Sequence, residues 1–155
     1  MDANSARDPH WVDALLDWRG TWIAVRVVLT SAYLLGGITK LLDFPAAAAE
    51  QDHFGLTPGW LWAALAIVVE LAGSVLVISG RLVWLGAGAL GVLTMVAMLA
   101  ANRFWTLNGH ARLTMANTFF EHAGLISGFV MVALIAAHAE RRGSASPHTI
   151  SSSLP

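Results

Sequence analysis

Residues 60–79 read WLWAALAIVVELAGSVLVIS, a stretch with a single charged side chain, Glu70. About 20 predominantly apolar residues are what an α-helix needs to cross a hydrocarbon core ~30 Å thick. Residues 22–42, 82–101 and 118–137 have the same character. In lipid only helices and closed barrels satisfy the backbone, and these stretches are continuously apolar rather than alternating as barrel strands are. The expected fold is therefore all-α, an integral membrane four-helix bundle.

Composition agrees. Of 155 residues 56% are hydrophobic and 12% charged, with a mean hydropathy of +0.62, whereas soluble domains carry about a quarter charged residues. The lipid bilayer is thus the first partner. The net charge of −1 leaves no basic patch for nucleic acid. The chain has no cysteine, which excludes disulfide relays and thiolate metal sites. No HExxH, paired ExxH or CxxCH motif is present, so no metal site is expected, although a bis-His haem from His110, His122 or His138 stays open.

Outward from the spans, Asp8 and Pro9 start a helix whose Trp11, Leu15, Trp18 and Trp22 share a face. Residues 1–21 form an N-terminal segment holding either an interfacial helix or a protruding extension of the first span. Residues 22–137 form the four-helix domain, with one short helix expected between Pro45 and Gly55, and residues 138–155 form a tail expected to be disordered. Arg7, Arg19, Arg81, Arg141 and Arg142 fall at one end of the bundle. Arg103 and Arg112 fall at the other, with Lys40 at its border. The positive-inside rule then places both termini in the cytoplasm.

Charges inside spans cost roughly 2.5–3.5 kcal/mol each at a helix centre, so each should face protein. Helical spacing puts Arg26, Thr30, Tyr33, Gly37 and Lys40 on one stripe, and Ala63, Ala66, Glu70, Gly73 and Val77 on another. In the third span the corresponding stripe is Gly88, Gly91, Met95, Met98 and Asn102. In the fourth it is Asn117, Glu121, Gly124, Gly128 and Met131, with Gly124 and Gly128 as a GxxxG pair. Measured from span ends, Glu70 lies ~13 Å and Arg26 ~6 Å deep, a gap that an arginine side chain closes. Arg26 and Glu70 are therefore expected as a structural ion pair. Lys40, Glu121, His122, Asn117 and Arg103 are expected to form a second polar cluster, a candidate ligand-binding or proton-relay site.

The run Arg26…Gly37-Ile38-Thr39-Lys40-Leu41, the loop Phe54-Gly55-Leu56-Thr57-Pro58, then Glu70-Leu71-Ala72-Gly73 and Gly80-Arg81 resemble the DoxX family of small four-helix membrane proteins. The resemblance covers roughly residues 22–137. It implies a bacterial-type inner-membrane protein with functional positions at Arg26, Lys40 and Glu70. Some relatives are associated with quinone-linked oxidoreductase complexes, which makes quinone a candidate cofactor and redox-complex subunits candidate partners. Three readings follow: a membrane subunit of such a complex, a small proton-coupled carrier, and a non-catalytic structural or assembly subunit. Four helices are few for alternating access, so the carrier reading asks for a homo-oligomer.

Overall fold

A computed structural model describes residues 9–144. They form α1 (His10–Asp17), α2 (Arg19–Leu42), α3 (Phe44–His53), α4 (Gly59–Ser79), α5 (Val83–Ala101), a 3-10 turn at Phe104–Thr106, and α6 (Gly109–Ser144). Helices α2, α4, α5 and α6 are long and apolar enough to cross a membrane. The protein is an all-α membrane bundle.

The short elements are fixed by local chemistry. α1 ends where Trp18 turns extended (φ −72°, ψ 121°), so the chain breaks there and α1 is not an extension of α2. The Thr21 hydroxyl and Trp22 indole donate to the Leu15 and Leu16 carbonyls (2.7 and 3.1 Å), using acceptors that the end of α1 leaves open. α3 starts on an Asp43 cap, whose carboxylate accepts from the Ala46 amide, with Pro45 in the first turn. Asp52 at its far end accepts from the Gly59 amide at 2.7 Å and ties α3 to α4. Gly59 must lack a side chain, since a Cβ there would collide with the Ala48 carbonyl oxygen. The α4–α5 connection turns through Gly80 in the left-handed region (φ 75°), and Leu82 follows with φ 51°.

The spans run antiparallel, and close contacts set their register. Gly37 abuts Glu70 and Leu71, Gly73 abuts Leu90 and Gly86, and the Asn102 side-chain amide donates to the Met115 carbonyl at 2.9 Å. α2 packs on α4, α4 on α5 and α5 on α6, while α2 and α6 touch only lightly. The core is Val77, Ala87, Leu90 and Phe129, with the Phe129 ring against Tyr33 edge-on at 5.4 Å.

Two inward stripes agree with their spacing: Ala63, Ala66, Glu70, Gly73 and Val77 are buried in α4, and Thr30 and Gly37 in α2. Two do not. α5 buries Val83, Gly86, Ala87, Leu90, Thr94 and Met98, while Gly88 and Met95 face outward. The helix carries glycine at 86, 88 and 91, and the close approach to α4 uses Gly86, where a Cβ would lie 2.7 Å from the Gly73 carbonyl oxygen. α6 turns Phe129 into the core and leaves Asn117, Glu121, Gly124 and Met131 exposed. The bulky ring, with far more area to bury, decided the rotation over the GxxxG pair. α6 also runs past the expected end of its span to Ser144; residues 145–155 of the expected tail lie outside the described residues.

Candidate functional site

The deepest charge in the bundle is Glu70, 8% exposed and about 16 Å along α4 from Gly59 at 1.5 Å per residue. Its partner is Lys40. The ammonium Nζ donates to Oε1 at 2.8 Å and to Oε2 at 3.1 Å. Two α2 glycines make room: a Cβ on Gly36 would press on both Lys40 Nζ and Glu70 Oε2, and one on Gly37 would overlap Leu71.

The expected pair of Arg26 with Glu70 is therefore corrected. The expectation took the spans to start level, but α2 begins at Arg19 and slides along α4 until Gly37 meets Glu70. Arg26 then stands about 16 Å from the Glu70 level. Its guanidinium lies beside Gly80, where a Cβ would be 2.7 Å from Nη1, and its Nε is buried without a hydrogen-bond partner among the described residues.

Lys40 and Glu70 form one wall of a cavity of about 220 Å³ closed by Tyr33, Thr94, His122 and apolar residues such as Leu93 and Leu125. All four spanning helices contribute to it. The Thr94 hydroxyl donates to the Leu90 carbonyl at 2.7 Å. With that proton used, the 2.6 Å contact between Tyr33 Oη and Thr94 Oγ1 has tyrosine as donor. The Tyr33 oxygen is left as an acceptor. His122 Nδ1 lies 2.7 Å from the Thr118 carbonyl oxygen, which can only accept, so Nδ1 carries a proton and Nε2 is the nitrogen free for the cavity. Lys40 spends two of its three protons on Glu70 and keeps one. The cavity thus offers one ammonium donor, one imidazole nitrogen and one phenol oxygen against apolar walls.

Of the expected polar cluster, Lys40 and His122 meet here. Asn117 and Glu121 do not; both are exposed on another face of α6. Arg103 belongs to a separate cavity of about 250 Å³ near the α3 end, with His53, Phe54, Thr106 and Met115. Among the described residues no three His, Asp or Glu come together as metal ligands would. Sequence reasoning treated Tyr33 only as a stripe member and did not single out Thr94. Tyr33 precedes Lys40 by two helical turns, and that spacing was the available signal; Thr94 is one hydroxyl in an apolar helix and carries none.

The family model described as DoxX matches residues 21–103, just over half of the chain. That stretch runs from α2 through α5 and contains Tyr33, Lys40, Glu70 and Thr94, whereas His122 and Leu125 lie beyond it. No curated protein and no solved structure matches.

Proposed function

Because the chain belongs to the DoxX family, we propose that it is a membrane subunit of a quinone-linked oxidoreductase complex, and that the Lys40–Glu70 cavity holds the quinone head group. The observation that carries the reading is the cavity itself. Three convergent polar groups sit in apolar walls inside the bundle, the pattern of a site for a hydrophobic ligand with a polar head. Its 220 Å³ suits a single ring and leaves an isoprenoid tail outside. The light contact between α2 and α6 leaves a side on which such a tail can lie in lipid.

The residues fit the head group. The third proton of Lys40 would be offered to one carbonyl oxygen of a quinone, and His122 Nε2, unprotonated in the Nδ1–H tautomer, would accept a hydrogen bond from the second oxygen once it is a hydroxyl. Reduction of a quinone takes up two electrons and two protons. The electrons would come from a partner subunit bearing a redox centre. Lys40 would hand a proton to the oxygen it faces, His122 Nε2 would pass on the second after first taking it up from outside the cavity, and Glu70 aims the ammonium. The reading places the protein in the bacterial inner membrane with both termini cytoplasmic, supported by Arg19, Arg81 and Arg142 at the Gly80 end of the bundle.

The test is isolation of the intact assembly from native membranes by a tag on this chain, with identification of the co-purified proteins and measurement of quinone reduction. Co-purification of a flavin, haem or iron–sulfur subunit with quinone reductase activity supports the proposal. Recovery of the chain with no redox subunit removes it.

A further inference from the structure

Glu121 occupies an unusual place. Asn102 and Met115 mark the Gly59 end of the α5–α6 pair, and Glu121 lies about 9 Å beyond Met115 along α6, about 5 Å inside the apolar stretch that begins at residue 118. Its side chain is exposed, and it makes no hydrogen bond or ion pair among the described residues. Ionisable residues at such depth almost always face protein, because lipid gives a carboxylate neither counter-charge nor hydrogen bonds. One turn earlier on the same stripe stands Asn117, also exposed and without a partner among the described residues. One turn later stands Gly124, where a Cβ would meet nothing within 4 Å. Nothing in the single chain uses that glycine.

We propose that the Asn117–Glu121–Gly124 face of α6 is the interface of a homodimer, with the occupant a second copy of this chain. Two copies inserted the same way are related by an axis along the membrane normal, which brings their α6 helices together parallel and in register. Asn117 of each copy then lies within one turn of Glu121 of the other, and its amide donates to that carboxylate. The face supplies both the donor and the acceptor, so it complements itself. Gly124, with no side chain, lets the two backbones approach as in other small-residue crossings in membranes. The inference is independent of the quinone reading and concerns a different face of α6.

The test uses the full-length protein in lipid nanodiscs and native membranes, and the absence of cysteine makes single-cysteine variants clean. Gly124→Cys should form a disulfide-linked dimer under mild oxidation. Val130→Cys, exposed on the opposite side of α6, should not. Gly124→Ile should raise the dimer dissociation constant by about tenfold or more while leaving the thermal stability of the dilute monomer unchanged, since a Cβ there meets nothing within 4 Å in the single chain. Asn117→Leu should weaken the dimer in the same direction. Cross-linking at Val130→Cys as strong as at Gly124→Cys, a monomer at all concentrations, or a heterologous protein cross-linked at Gly124→Cys would each overturn the proposal.

Discussion

Replacing Lys40 by Met and Glu70 by Gln tests the register on which the site depends. The two charges form a bidentate contact with side chains 22% and 10% exposed, enclosed enough that loss of either partner strands the other. Removing one member of a buried pair typically costs about 3–5 kcal/mol, while removing both returns much of that loss. Each single variant should therefore lower stability by about 3 kcal/mol in reversible detergent unfolding, and the cycle should show a coupling of about 1–3 kcal/mol. Arg26→Met combined with Glu70→Gln is the control. Some 16 Å of helix separates their levels, so those two effects should add to within about 0.5 kcal/mol. Additive losses for Lys40 and Glu70, or coupling between Arg26 and Glu70, would refute the register.

Tyr33→Phe removes the donor to Thr94 and should cost about 0.5–1.5 kcal/mol in the same assay. Gly59→Ala drives a methyl group into the Ala48 carbonyl and should cost about 1–3 kcal/mol, whereas Gly88→Ala, facing open space, should stay within about 0.5 kcal/mol of the parent. For topology, Arg81→Cys and Arg142→Cys should resist an impermeant thiol reagent applied to the periplasmic face, while Gln51→Cys and Asn108→Cys should react; the reverse pattern would invert the orientation.

Much of the fold was legible because lipid imposes it. A run such as residues 60–79 has one stable way to satisfy its backbone, and Glu70 among alanines and glycines has one inexpensive direction to face. Depth was legible only in part, since hydropathy marks where a helix is apolar and not how far it slides along its neighbour. That sliding is set by Gly37 against Leu71 and Glu70, a contact between residues distant in sequence. The consequence was a wrong partner for Glu70. Rotation of α6 was illegible for a related reason: Phe129 and the GxxxG pair propose different inward faces, and only the space between Leu90 and Tyr33 decides between them. His122 and Glu121, neighbours in sequence, therefore serve different faces of one helix.

The most direct test of the proposed site is equilibrium binding of a short-chain quinone analogue to the full-length protein in nanodiscs, compared between the parent and His122→Ala at matched thermal stability. The account predicts saturable binding that weakens about tenfold or more when the imidazole is removed, with Glu121→Gln binding as the parent does because that side chain faces away from the cavity. Binding that never saturates, or that is the same with and without the His122 imidazole, would contradict it.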